Sequence, residues 1–416
     1  MSARPPLQDS AFRTLWAGQT VSQFGSAVTG VALPLTAILV LGAGPLEMGA
    51  LVALQQLPVP LFGLFAGVWV DRVRRRPLMV AGQFGRGLLL LSIPVAAAAD
   101  RLTMLQLWVV AFGVGTLTVV VDLAYTSYLP TVVPRHELIR GHTRLSMSES
   151  VAGFAGRGLG GALVQAVGAP FALVVDSLSF FFSGLCLLRI RVVEPHAEVA
   201  KARSGLAHEI RDGLRAVLDR PVVASMIATS MVGALGGAMF NAVFVLFMTR
   251  DLGLSPFWLG IVLAVAPVAA LPGASLAAPA SARFGPGPTL VLATAVSAAG
   301  ASLIPLAAGG AVRIALALGA GQLLFGLGLT LYSVTQISLR QAITPDALLG
   351  RVNATRRVVV FGMIPLGALA GGALGEAWGL RSALWAAAGL NVASLAVALL
   401  SPLRQTRHLP SEALAT

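Results

Sequence analysis

Three ionisable side chains stand where a charge is costly. Asp122 interrupts the apolar run 119–124, Arg157 sits among the glycines of 153–161, and Glu149 stands at the polar start of that same stretch. A carboxylate in a nonpolar setting can take up and release a proton as its surroundings change, and a guanidinium nearby can tune or neutralise it. Two chemistries therefore compete for Asp122 and Arg157: a pair that only neutralises itself, and a proton-coupling carboxylate with its tuning cation. Glu149 has the plainer alternative of a carboxylate favoured near a helix N-terminus. Arg86 and Asp176 also fall in apolar runs and read as structural charges. The five histidines, His136, His142, His196, His208 and His408, all lie in polar segments, and the single cysteine, Cys186, lies in an apolar one. No metal site, disulfide, Ser/His pairing, phosphate loop or cofactor motif is expected from these residues, which argues against an enzyme.

The elements that must position these groups follow from composition. Of the 416 residues, 56% are hydrophobic and only 11% charged, far below the roughly 25% of soluble domains. With a mean hydropathy of +0.83, the chain reads as an all-α polytopic membrane protein. Apolar runs broken by Gly, Pro and charge clusters predict twelve spans at 14–41, 45–70, 77–99, 104–131, 146–167, 170–189, 222–249, 255–281, 287–308, 313–340, 353–376 and 382–402. No ten-residue alternation recurs that would suit a barrel. The first run is too long for a signal-peptide core and reads as an uncleaved first span. On this scheme Asp122 lies about 13 Å, and Arg157 about 15 Å, from the basic ends of their helices.

Charge sets the orientation. If the N-terminus is cytoplasmic, 23 of the 29 basic residues fall on that side, while Arg101, Arg250, Arg313 and Arg381 fall on the other. The positive-inside rule then places both termini in the cytoplasm. The same scatter over alternate loops speaks against nucleic-acid binding. The long stretch 191–221 carries Leu206, Ile210, Leu214 and Leu218 at every fourth position, an amphipathic helix expected to lie along the membrane surface and link two halves. A calmodulin-like partner site is the weaker reading of it.

An internal repeat divides the chain the same way. At an offset of 211 positions Pro134 meets Pro345, Arg140 meets Arg351, and Gly156, Gly160 and Gly161 meet Gly367, Gly371 and Gly372. Gly49/Gly260, Arg72/Arg283, Pro94/Pro305 and Ser183/Ser394 keep the same offset. Two pseudo-symmetric six-helix bundles follow, 1–190 and 222–416, joined by the linker 191–221, with a substrate path between them. The six glycines are suited to close helix packing.

After the second span the chain reads Gly67-Val-Trp-Val-Asp71-Arg72-Val-Arg74-Arg75-Arg76. A carboxylate followed by an arginine cluster at a helix end can make contacts that open and close, although a basic loop that only fixes topology is the simpler reading. Here the sequence resembles the major facilitator superfamily, in which this loop acts as a gating latch built, at these positions, from Gly67, Asp71, Arg72, Arg75 and Arg76. Ser22-Gln-Phe-Gly25, Val31-Ala-Leu-Pro34, Val133-Pro134-Arg135, Asp176-Ser-Leu-Ser-Phe180 and Glu209-Ile-Arg-Asp-Gly213 resemble its macrolide-efflux and enterobactin-exporter branch. Antiporters of the family commonly carry a proline after the glycine at position 156, where this chain has Arg157.

The resemblance implies proton-driven efflux of a small amphiphilic compound (a drug, antibiotic or siderophore-like molecule) across the plasma membrane by alternating access, acting as a monomer without cofactor or metal. Helices 1, 4, 7 and 10 are then expected to line the cavity. They offer Gln19, Gln23, Tyr125, Tyr128, Asn241, Phe244, Gln322, Tyr332 and Gln336. Amide and aromatic groups of this kind suit an uncharged or amphiphilic substrate. A lipid or lysophospholipid flippase of the same fold is the nearest alternative, a polytopic membrane enzyme a more distant one, and a receptor is disfavoured by the short exterior loops.

Overall fold

The computed structural model describes residues 10–70, 72–134, 137–190, 192, 215 and 217–407. These form thirteen α-helices and no strand: α1 (Ser10–Leu39), α2 (Pro45–Gln56), α3 (Pro58–Val70), α4 (Arg75–Ala98), α5 (Met104–Val132), α6 (Leu138–Val167), α7 (Ala169–Arg189), α8 (Pro221–Leu246), α9 (Pro256–Phe284), α10 (Pro286–Leu303), α11 (Ala311–Ile343), α12 (Asp346–Trp378) and α13 (Leu380–Leu400). Ten described spans are long and apolar enough to cross a membrane. The other two are α6, whose first turns are polar, and the α2–α3 pair, broken at Leu57 before Pro58, where the proline cannot donate a helical N–H.

Several helices run further than their apolar stretches predict. α1 starts at Ser10, α6 at Leu138 and α12 at Asp346. Hydropathy marks the lipid-facing length only, whereas arginine is a good helix former and carries a helix on past it. Arg140, Arg144 and Arg351 are therefore helical and not loop residues, and Glu149 lies three turns into α6, away from its N-terminus. Most of the expected linker helix, with Leu206, Ile210 and Leu214, falls outside the described residues; Leu218 is exposed and Val217 buried.

The chain divides into two compact units, residues 1–43, 54–202 and 255–264 in the first and 44–53, 203–254 and 265–416 in the second. In the first, α1 packs against α6 and α7, and α4 against α5 and α7; in the second, α8 packs against α12 and α13, and α10 against α11 and α13. These are the same pairings shifted by one repeat. The cores repeat as well: Phe12, Leu15, Met79, Tyr128 and Leu187 in the first unit stand at the positions of Val223, Met226, Leu290, Leu339 and Ala398 in the second.

The glycines let backbones touch. A methyl group on Gly156 would meet the Ala27 Cβ at 2.6 Å and one on Gly160 the Val28 Cα at 3.2 Å, at the α6–α1 crossing. At the corresponding α12–α8 crossing, a methyl on Gly367 would strike the Leu235 carbonyl and one on Gly371 the Met239 carbonyl at 2.6 Å. Gly161 abuts Pro256 and Gly260 of α9 within the first unit, and Gly372 abuts Pro45 and Gly49 of α2 within the second.

Candidate functional site

In the first unit a cleft of about 330 Å³ gathers residues from three helices. α1 contributes Gln19, Thr20 and Gln23, with the two amides one turn apart on one face. α5 is capped by Thr103, whose side chain accepts from the Gln106 N–H at 3.3 Å, and further along presents Asp122, Tyr125 and Thr126. α6 supplies Leu145, Ser146, Ser148 and Glu149. Trp16 Nε1 donates to Ser148 Oγ at 2.8 Å, tying α1 to α6 beside the cleft. Gln19, Gln23, Asp122, Tyr125 and Glu149 thus share one site. Asp122 and Glu149 are exposed to it, and the Tyr125 hydroxyl is buried without a partner. Two carboxylates, two amides and a phenol can exchange protons and hydrogen-bond a polar molecule.

Tyr128 is not part of this cleft. It is fully buried with Phe12, Leu15, Met79 and Leu129 in the core.

Asp122 and Arg157 do not form a pair. Arg157 Nη1 donates to the Gly153 carbonyl of its own helix at 3.2 Å, while the charge of Asp122 acts on Arg86 of α4. Packing explains the difference: α6 lies against α1 and α7, and helices joined by a hairpin need not be neighbours. Arg86, 6% exposed, donates to Gln83 Oε1 at 2.6 Å and Thr118 Oγ1 at 3.3 Å and lies 4.3 Å over the Phe180 ring. Asp176, 1% exposed, feels the Arg86 charge and accepts from Thr29 at 2.6 Å and Ser179 at 3.0 Å. Gln83 Nε2 donates on to Ser183 Oγ at 2.9 Å. This network welds α1, α4, α5 and α7 together, a structural use of buried charge.

In the arginine loop, Arg76 donates from Nε to the Leu187 carbonyl at 2.8 Å and from Nη2 to that of Leu188 at 2.6 Å, satisfying the last turn of α7. Arg75 opens α4, Arg72 is exposed in the turn, and Gly67 is helical; Asp71 lies outside the described residues.

The second unit places a different set at the repeat-related positions. Tyr332 of α11 donates to the Met226 carbonyl at 3.0 Å and shares a 3.1 Å hydrogen bond with Ser230 of α8; Gln336 Nε2 lies 3.5 Å from the same Ser230 oxygen. Ser230 and Gln336 stand where Gln19 and Tyr125 stand in the first unit. Beside them are Arg340 and Arg356, two residues not singled out from the sequence. Phe244 is buried against Phe240, ring centroids 4.4 Å apart, Gln322 is buried, and Asn241 is exposed. A second cleft, about 820 Å³, lies at the junction of α9 and α10 between Arg283, Pro288, Ser338 and Arg407 and contains none of these candidates.

The sequence profile of the family described as transmembrane secretion effector matches residues 1–415. The enterobactin exporter EntS of Escherichia coli (strain K12 / MC4100 / BW2952) is 24% identical over 405 residues, 96% of this chain and 93% of that protein. The uncharacterized MFS-type transporter YfiS of Bacillus subtilis (strain 168) is 24% identical over 221 residues, 53% of this chain, and the matched region spans about half of its length. Among solved structures, the nucleoside transporter NupG superposes with a TM-score of 0.76 at 10% identity, covering 94% of this chain and 98% of that one, which establishes the fold. With twelve spans in two repeats, a profile match along nearly its whole length and transporters as its structural neighbours, the chain is a multi-pass membrane transporter and not an enzyme, and it belongs to the transmembrane secretion effector family of the major facilitator superfamily.

Proposed function

We propose that the chain is a proton-coupled exporter of a small amphiphilic compound, working by alternating access in the plasma membrane with both termini in the cytoplasm. The observation that carries this reading is the cleft in which Asp122 and Glu149 share one space with Gln19, Gln23 and Tyr125. Carboxylates open to the space a substrate would enter can exchange protons with one side of the membrane and be displaced or shielded by cargo. The similarity to EntS, whose name describes an enterobactin exporter, supports an outward direction and a siderophore-like or other amphiphilic cargo. The arginine asymmetry supports the orientation. Asp71, Arg72, Arg75 and Arg76 after Gly67 act in this reading as the gating latch, with Arg76 in addition holding the end of α7. The transporter acts as a monomer within the bilayer.

The test is expression in a pump-deficient bacterium challenged with a panel of antibiotics and dyes. Raised resistance that disappears with a protonophore and in the Asp122→Asn, Glu149→Gln double variant is expected. Resistance unaffected by both treatments would overturn proton coupling, and no change across a broad panel with well-expressed protein would overturn export of such compounds.

A further inference from the structure

Among the described residues, the second unit holds positive charge away from water with no carboxylate paired to it. Arg340, in the last turn of α11, is 5% exposed, and its Nε and Nη1 have no acceptor. Arg356 of α12 is near enough for the two charges to repel, and its Nε is likewise buried and unpaired. Among the described residues neither guanidinium has an ion pair, and the other group within reach of both charges is Tyr332. Thr335 Oγ1, Gln336 Oε1 and Thr344 Oγ1 close by in sequence are also buried and unpaired.

The repeat shows that folding does not require these groups. At the related positions the first unit has Ala124 for Thr335, Leu129 for Arg340, Val133 for Thr344 and Leu145 for Arg356. Ala124, Leu129 and Val133 are buried core residues there, and Leu145 packs against them. One copy of the bundle thus fills this place with aliphatic carbon, and the other puts two guanidinium groups and two hydroxyls in it. Conversely, the carboxylates Asp122 and Glu149 of the first copy are Ser333 and Val360 in the second. A cation in a helix's last turn is favoured by the helix dipole, which would account for Arg340 alone at a solvated end. It does not account for a buried and a half-buried cation in mutual repulsion with buried, unpaired N–H groups, an arrangement that an anion would complete.

We propose that Arg340 and Arg356 form a binding site for an oxyanion headgroup, a carboxylate or phosphate, carried by the transported amphiphile. Two guanidinium forks offer parallel N–H donors matched to the paired oxygens of such a group, and the Gln336 amide stands at hand as a further donor. The assignment rests on the export reading only in taking the anion to be part of the cargo.

The experiment is calorimetric binding to the purified full-length protein in maltoside micelles, with octyl phosphate, octanoate, octyltrimethylammonium and inorganic phosphate as probes. Octyl phosphate and octanoate should bind saturably and the ammonium compound should not. Arg340→Gln and Arg356→Gln should each weaken octyl phosphate about tenfold or more, the scale of a lost charge-assisted hydrogen bond, while Arg357→Gln leaves it unchanged. Arg340→Lys, which keeps the charge and loses the fork, should weaken it severalfold, and this variant decides the matter if the glutamine variants do not fold. Equal binding of the ammonium compound, or wild-type affinity in Arg340→Lys and Arg340→Gln, would overturn the site. Inorganic phosphate binding as tightly as octyl phosphate would overturn the headgroup assignment. Efflux of a cationic dye by wild-type protein that binds no octyl phosphate would remove the site and leave export standing; octyl phosphate binding that depends on both arginines, with no efflux of any compound, would support the site and remove export.

Discussion

Replacing Asp176 separates a structural carboxylate from a coupling one. Asp176 is 1% exposed, accepts from Thr29 and Ser179, and offsets the buried charge of Arg86. Removing one member of a buried charge pair costs about 3–5 kcal/mol because the other is left uncompensated. Asp176 and Arg86 are not within ion-pair distance, and in Asp176→Asn Arg86 keeps Gln83, Thr118, the Phe180 ring and the charge of Asp122, so the loss should fall below that range, about 2 kcal/mol. Asp176→Ala also strands the Thr29 hydroxyl, worth about 1 kcal/mol, while Ser179 keeps the backbone carbonyl of residue 176 at 2.7 Å, and should reach about 3 kcal/mol. At roughly 2–4 °C per kcal/mol for a unit of about 200 residues, Asp176→Asn should lower Tm by roughly 4–8 °C. The assay is thermal unfolding of purified protein in micelles, followed by intrinsic fluorescence. Adding Arg86→Met to Asp176→Asn should recover part of the loss, since the unpaired cation goes with it. A wild-type Tm in Asp176→Asn together with loss of gradient-driven export would refute the structural reading and make Asp176 a coupling group.

Gly371→Ala, whose new methyl would meet the Met239 carbonyl at 2.6 Å, should force the α12–α8 crossing apart and destabilise by about 1–3 kcal/mol, whereas Gly389→Ala, with nothing within 4 Å, should be neutral or stabilising by up to about 1 kcal/mol; melting curves of the pair check this. Tyr125→Phe removes a buried hydroxyl that has no partner, so Tm should hold or rise slightly, and any fall in transport would then report a contact with cargo or proton. Asp71→Asn should leave expression normal and reduce efflux by shifting the balance of inward- and outward-open states, as read by accessibility labelling; wild-type efflux and labelling would count against a latch.

Much of the fold can be read in the sequence because lipid imposes a length and the repeat imposes a register. The sixth span, expected at 170–189, runs Ala169–Arg189 as α7, and the last helix, Leu380–Leu400, is its image one repeat on. Boundaries fail where polar residues continue a helix, as at Leu138–Val167, because hydropathy reports the solvent and not the backbone. The sites are less legible. Position along a helix gives depth but not the neighbour, which is why Asp122 and Arg157, similar in depth, have different partners. Tyr125 and Tyr128 lie three residues apart and face a cleft and a core respectively, since helical spacing leaves about 60° between them and the packing of α1 decides which side is filled. Arg340 and Arg356 fall at the ends of the expected spans 313–340 and 353–376, where hydropathy gives no reason to set them apart from other cytoplasmic charges. Setting them beside Leu129 and Leu145 at the repeat offset would have shown two cations at core positions.

Proton coupling through the cleft is tested most directly in everted membrane vesicles with an imposed pH gradient, using the compound that gives the largest resistance in the efflux panel. One pH unit supplies about 1.4 kcal/mol per proton, so accumulation should approach about tenfold if one cleft carboxylate carries a proton in each cycle and about a hundredfold if both do. The account predicts that Asp122→Asn with Glu149→Gln still exchanges compound across the vesicle membrane and accumulates none. Undiminished gradient-driven accumulation by that double variant would contradict it.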